Sequence, residues 1–360
     1  MPPKISEIRS HLLSIPLARP LRTSVHHIAS IDTVVVEMRA DAGLVGSGFC
    51  FAFGRHRGRA LHALVEDLVQ FYSGQAPEPR LLFERAWRSI NFLGHTGVAV
   101  MALAALDTAC WDLAAQAANL PLVGLLGGGR ERVPTYASSG LWLHLSIDEL
   151  IADAQRFLAQ GHRAMKMRLG GVPADDVKRV RRLREALGPD VKLLADVNQG
   201  WDERTAIRVG GELEPFGLFW LEEPLPYENL EGCARVAAAL VTPIASGETE
   251  YGPLGMKRHL EARAVDVLMP DLQRMGGVTG FLKAAALCEA FHVPLSSHLF
   301  MEASVHLLAA DSNAIILEHM TWFEELFDEP LRIVAGEAVV PSRPGVGVNL
   351  RRQPLDRFRV

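Results

Sequence analysis

The sequence predicts a parallel α/β barrel preceded by a separate α+β unit, and three observations carry that prediction. From Val133 onward, strand-length apolar segments alternate with helix-length segments about eight times over roughly 190 residues. Each of seven successive predicted strands ends in an ionisable residue. The chain is also long and apolar enough for a large core, with 360 residues, 49% of them hydrophobic and 22% charged. A doubly wound open sheet is the competing architecture. It is disfavoured because no glycine-rich phosphate fingerprint follows the first strand.

The first unit, to about Gly129, reads as strands Thr33–Met38 and Leu44–Phe51 around the turn Ala40–Gly43. An alanine-rich helix follows over Val98–Ala118, closed by Pro121 and the Gly127–Gly129 run. In the second unit, Ser146 and Glu149 form a capping box that starts a helix, and Gly161 stops it. Strand Ala164–Arg168 comes next. A helix then runs from Pro173 to Gly188, before strand Val191–Val197. A helix after Trp201 leads to strand Leu218–Glu222, and helix Asn229–Leu240 to strand Pro243–Gly247. Strand Val265–Pro270, helix Thr279–Phe291, and strands Val293–Ser297 and Ala314–Leu317 complete the series. The expected division is 1–129, 130–320 and a C-terminal segment 321–360.

Composition narrows the function. Thirty-seven basic against 42 acidic residues give a net charge of −5, which argues against nucleic acid or an anionic membrane as partner. The apolar run Gly97–Leu106 is too short to span a bilayer, and the N-terminus has no apolar core of signal-peptide length. Four scattered cysteines without a CxxC pair read as reduced thiols, and a soluble cytoplasmic protein is expected.

Lys166 and Arg168, Asp196, Glu222, Glu248, Asp271, His298 and Glu318 fall at the C-terminal ends of successive strands, the rim where barrels of this class assemble active sites. Asp196, Glu222 and Glu248 are equally spaced on neighbouring strands. Three converging carboxylates repel unless a cation neutralises them, and hard oxygen donors suit Mg²⁺, with Mn²⁺ as substitute. Either Glu222 or Glu223 faces inward, because successive strand residues point to opposite sides. Asn198 shares a face with Asp196 and is a candidate contact to metal or substrate. Lys166 and Arg168 point the same way, and two adjacent cations depress each other's proton affinity, a route to a neutral basic lysine. Asp271 and His298, one strand apart, form a candidate general base in which the carboxylate sets the tautomer.

The segments AMKMRLG (164–170), ADVNQGW (195–201), FWLEEPL (219–225), SGETEYG (246–252), PDLQRMGGVTG (270–280), PLSSHLFMEASVHLLAA (294–310) and ILEH (316–319) resemble the enolase superfamily, and within it the mandelate racemase subgroup. IPLARPLRT (15–23), AALDTACWDLAAQ (104–116) and PGVGV (344–348) extend the similarity over nearly the whole chain. The resemblance implies an α+β capping domain over a modified (β/α)7β barrel, with the C-terminal segment packed back on the cap. It also implies Mg²⁺ on Asp196, Glu222 and Glu248, a His298–Asp271 base, and Glu318 as a protonated acid facing the enolate. Ser138 is an expected contact for the substrate carboxylate. The shared chemistry is abstraction of the proton α to a carboxylate, and a homo-oligomer between dimer and octamer is expected.

One position departs from mandelate racemase. Where that subgroup's Lys-x-Lys pair supplies the opposite-face base, this chain has Arg168, and arginine is a poor base. Racemisation needs a base on each face, whereas elimination can run with one. The expectation is therefore dehydration of a sugar acid or related hydroxy acid, with a racemase or epimerase using Lys166 as the alternative. A third reading is a barrel that only binds a metal–carboxylate ligand. Two predicted lid loops, 23–28 and 51–59, bring His26, Phe51 and Phe53 towards a small carboxylate substrate.

Overall fold

The computed structural model describes residues 3–41 and 43–360. Its first layer is an antiparallel meander of β1 (Ile5–Arg22), β2 (His27–Ala40) and β3 (Val45–Ala52). Strand β1 has no clear signal in the sequence, because Pro16 and Pro20 remove ladder donors. Both lie in an outer strand, where the register slips between Pro16 and Leu21, and an edge tolerates such breaks. Alternation along β2 decides which side each residue serves. Val34, Val36 and Met38 pack towards the cap helices, while Ile31 and Val35 join the core shared with the barrel.

The alanine-rich helix spans Gly97–Ala117 and is buried nearly all round. By length and apolarity it could cross a membrane, but 83% of its apolar window is buried inside the fold. The expectation from Gly97–Leu106 alone therefore understates its length, and its apolarity serves the core. Gly46 and Gly48 of β3 press against its backbone, since a Cβ on either would strike the carbonyl of Ala109 or Ala105. The segment 51–59, expected to be a loop, is one only at its start. Helix Arg55–Leu68 begins within it, and helix Pro79–Ser89 is a further element to which the sequence pattern does not point.

Eight parallel strands follow: β4 (Arg132–Ala137), β5 (Ala164–Arg168), β6 (Lys192–Asp196), β7 (Leu221–Glu222), β8 (Ile244–Ser246), β9 (Val267–Leu268), β10 (Leu295–Ser296) and β11 (Ala314–His319). Each pairs with the next, and β11 closes on β4 through Leu317–Thr135, Glu318–Tyr136 and His319–Ala137. Seven helices connect them, including Gly252–Glu261 and Met301–Ala310, so the barrel is (β/α)7β. Several strands are shorter than expected because the chain bends at their C-terminal ends. Leu141, Asn198, Gln199, Glu223, Leu299 and Phe300 all adopt positive φ there. Such conformations are costly for residues with a Cβ and cluster at functional sites. Inside the barrel, Tyr136 and Trp220 meet edge to face at 5.4 Å and, with Leu194, Met269 and Ile316, form the floor.

The hairpin of β12 (Ile333–Val334) and β13 (Glu337–Val339) adds antiparallel to β4. The chain then returns to the cap, where Ser14 N–H donates to Phe358 O at 2.8 Å and Val360 N–H to Leu12 O at 3.1 Å. His306 pins this return. Its Nδ1 accepts from Val123 N–H and its Nε2 donates to Val346 O at 3.0 Å, which leaves no room for a second ring proton. Burial pushes His306 down to about 4. A histidine depressed in the folded state binds its proton more readily when unfolded, so its stabilising contribution is present above about pH 6.5 and lost as pH falls towards 4. Urea denaturation should therefore show a shallower loss of stability between pH 7 and 5 in His306→Gln than in the parent. Parallel slopes would remove His306 from the acid response.

Candidate active site

A cavity of about 380 Å³ lies over the C-terminal ends of the barrel strands, with the cap as its roof. Thr23, Val25, His26 and Ile28 of the first lid loop reach it, as do Phe51, Phe53 and Arg57 from the second. The barrel side presents Lys166, Arg168, Asp196, Asn198, Glu248 and His298. Strand alternation explains their convergence. Met165 and Met167 of β5 pack outward among the helices, so Lys166 and Arg168 between them face the lumen.

His298 follows β10 and donates from Nδ1 to Asp271 Oδ2 at 2.7 Å. Asp271 is itself fixed, accepting Arg274 N–H at 2.9 Å. This arrangement makes Nε2 the cavity-facing nitrogen at which the ring takes up or releases its second proton, 3.5 Å from Glu248 Oε2. Burial opposes protonation of His298, but Glu248, the Asp271 hydrogen bond and Glu318 outweigh it and raise the imidazole to about 9.

The three predicted metal carboxylates are buried on adjacent strands. Asp196 accepts Asn198 N–H at 2.8 Å and Asn198 Nδ2 at 3.0 Å, and Glu222 accepts Trp220 Nε1 at 2.8 Å. Among the described residues they are not drawn into a closed metal cage. Instead the Lys166 ammonium lies among carboxylates, 2.5 Å from Glu222 Oε1, 3.1 Å from Glu318 Oε1 and 3.6 Å from Asp196 Oδ2. The donor set still fits a hard cation. It is all oxygen, Asp196 and Glu248 open on the cavity with Glu222 behind them, and Glu248 Oε2 is buried without a hydrogen-bond donor.

Several expectations need correction. Lys166 is not pushed towards a neutral amine by Arg168 in this arrangement. Burial opposes its charge, but Glu222, Glu318 and Asp196 outweigh that and hold its pKa above the ordinary range. Glu318 is drawn away from its protonated form in this arrangement. Lys166, His298 and Arg168 overcome its burial and hold the carboxyl down to about 2. Both its oxygens already receive donors, from Ser138 Oγ at 2.6 Å and Leu299 N–H at 2.8 Å, and it lies beneath the cavity rather than on its wall. Ser138 is fully buried and spends its hydroxyl on Glu318 and Arg168, so it is not a cavity wall residue for a substrate carboxylate. The choice between Glu222 and Glu223 also dissolves. A φ of 38° at Glu223 turns the chain at the end of β7, so Glu223 lines the cavity while Glu222 holds Lys166 from within the barrel.

Arg168 is held rather than free. Its Nη1 donates to Ser138 O at 3.1 Å and Lys166 O at 3.3 Å, its Nη2 donates to Ser138 Oγ at 2.9 Å, and the guanidinium lies 4.4 Å from the Trp142 ring centre. An aromatic wall adjoins it through Trp142, whose ring stacks on Trp322 at 6.4 Å. Phe51 and Phe53 meet at 5.5 Å, and Trp322 stands edge-on to both. Phe51 is anchored by donating its N–H to Gln273 Oε1 at 3.0 Å. Trp142, Met320, Trp322, Gln273, Arg274 and Glu223 line the cavity although the sequence pattern does not single them out. Of these, only Glu223 carries a signal, as one of two consecutive glutamates between which strand alternation alone does not choose.

Two family models match this chain: "Mandelate racemase / muconate lactonizing enzyme, N-terminal domain" over residues 8–127 and "Enolase C-terminal domain-like" over 149–354. L-talarate/galactarate dehydratase of Salmonella typhimurium is 33% identical over 359 residues, 97% of this chain and 90% of that protein. 3,6-Anhydro-α-L-galactonate cycloisomerase of Streptomyces coelicolor is 34% identical, with 99% of each chain covered. The Salmonella dehydratase liganded with Mg and L-lyxarohydroxamate superposes with a TM-score of 0.96 at 32% identity, covering 100% of this chain and 94% of that one.

Proposed function

The chain belongs to the mandelate racemase/muconate lactonizing enzyme family of the enolase superfamily, and from that premise we propose that it dehydrates a sugar acid or related hydroxy acid to a 2-keto acid. The observation that carries this reading is the asymmetry of the cavity's bases. One face has His298, oriented by Asp271, whereas position 168 holds an arginine already bound to Ser138 and Lys166 carbonyls.

Asp196, Glu222 and Glu248 would hold Mg²⁺, or Mn²⁺ in its place. Bound there, the ion supplies Lewis-acid stabilisation to the substrate carboxylate as its charge grows. The protein's own groups do the rest. His298 Nε2 takes the α-proton, breaking the C2–H bond while its electron pair moves into the carboxylate as an enolate. Arg168 adds fixed positive charge at the cavity wall without accepting a proton. The enolate electrons then expel the C3 hydroxyl, protonated by His298, so water leaves and the neutral base is restored. The resulting enol tautomerises to the 2-keto acid.

Four unpaired, buried cysteines support a reducing, cytoplasmic setting. Phe92 and Leu93, 96% and 60% exposed, support burial of that patch in a homo-oligomer.

Incubating the Mg²⁺-loaded protein in D₂O with a library of acid sugars and hydroxy acids tests the reading. Expected are a 2-keto acid from a substrate with hydroxyls at C2 and C3, and deuterium at C3 with one stereochemical sense. Inversion at C2 of a substrate lacking a 3-hydroxyl, at a rate that survives Arg168→Met, would establish a racemase using Lys166 instead.

A further inference from the structure

Glu223 is 2% exposed, yet its Oε1 has no hydrogen-bond partner and the side chain lines the cavity. An unpaired buried carboxylate oxygen is costly, so such groups are normally satisfied. The rest of the side chain is built into a rigid network. Gln199 Nε2 donates to Glu223 Oε2 and to Thr249 Oγ1, both at 3.0 Å. The Gln199 amide oxygen accepts Tyr227 N–H at 3.2 Å, and Gln199 N–H donates to Glu223 O at 2.7 Å. Both residues hold positive φ, 38° for Glu223 and 63° for Gln199, so two strained turns present one carboxylate to the cavity. Beside it, Asn198 Oδ1 is a second buried acceptor without a donor. Phe51, Phe53 and Trp322 make the remaining wall aromatic.

We propose that Glu223 is a specificity-determining residue that accepts a hydrogen bond from a substrate hydroxyl beyond C2, so that the site selects polyhydroxylated over simple 2-hydroxy acids. This deepens the reading of the cavity as a hydroxy-acid site and rests on it. The substrate's donors face the Asn198–Glu223 side, and its carbon chain lies against the aromatic wall. A hydroxyl that meets a pre-positioned, otherwise unpartnered acceptor is bound more tightly than in water, whereas a substrate lacking it leaves Oε1 unsatisfied.

The test is a binding ladder of L-lactate, D-glycerate and D-erythronate, which carry one, two and three hydroxyls. Calorimetry measures each with the Mg²⁺-loaded protein, and separately measures Mg²⁺ alone. In Glu223→Gln, the amide oxygen stays on Gln199 and an NH₂ turns to the cavity, replacing acceptor with donor. The ratio of lactate to erythronate dissociation constants should fall at least about tenfold in this variant. Glu223→Ala should show the same fall, while Mg²⁺ affinity stays within about threefold in both. An unchanged ladder overturns the proposal. A Mg²⁺ affinity weakened more than tenfold would make Glu223 a metal ligand and also overturns it. If the parent binds none of the three acids, the hydroxy-acid reading itself fails, and this assignment with it.

Discussion

Replacing His298 with asparagine is expected to reduce α-proton exchange by at least about 10³-fold, because its imidazole is the barrel-side base oriented by a carboxylate, whereas His26 lies on the lid loop. Arg168 is bonded through its guanidinium to Ser138 and Lys166, and Lys166 is held charged by Glu222, Glu318 and Asp196. The imidazole instead has Nδ1 committed to Asp271 at 2.7 Å and Nε2 at the cavity. An asparagine side chain in its place could keep a hydrogen bond to Asp271 but has no basic nitrogen. Asp271→Asn should be slower by about 10²-fold rather than inactive, since the ring survives while its tautomer is no longer imposed. Exchange is read by NMR in D₂O on the best substrate, with circular dichroism as a check on folding. Full exchange in His298→Asn would make Lys166 the base and transfer the mechanism to the other face.

The second large effect concerns the metal. Chelation with EDTA should abolish turnover, and Mg²⁺ should restore it. Glu248→Gln is the sharpest single test, because Glu248 Oε2 has no protein donor that an amide would disturb. Its Mg²⁺ dissociation constant, measured without substrate, should rise by about 10- to 100-fold, in line with the loss of one charged oxygen donor from a hard-ion site. Asp196→Asn should act in the same direction. Its carboxylate is oriented by two hydrogen bonds from Asn198, which an amide group would satisfy less well. If both amides bind Mg²⁺ as the parent does, the assignment of these carboxylates to the ion is wrong.

Much of this site is legible in the order of the residues alone, for a geometric reason. A parallel barrel brings the C-terminal end of every strand to one rim, so one ionisable residue per strand is enough to define a ring of chemistry. Lys166, Arg168, Asp196, Glu248 and His298 all line the cavity, and the Asp271–His298 pairing follows from adjacent strands. The alternation of apolar segments likewise specifies the barrel, and the arginine at 168 tilts the chemistry towards one base whatever the details of folding.

Only the tertiary structure decided the rest. Periodicity assumes regular strands, but the chain leaves β7 at Glu223 with φ of 38°, which brings Glu223 to the cavity while Glu222 stays on Lys166 within the barrel. The charge states of Lys166 and Glu318 depend on which opposite charges lie within about 4 Å, and four strands contribute to that cluster. Ser138 follows β4 and is available by position, yet Arg168 and Glu318 fold over it and take both sides of its hydroxyl. The roof is the least local feature of all. Phe51 reaches the cavity because its backbone N–H is caught by Gln273, 222 residues away in sequence. A sequence reports its own periodicity and the order of its strand ends. Which buried charges cancel, and which distant surfaces meet, is settled when the cap closes on the barrel and water leaves the space between them.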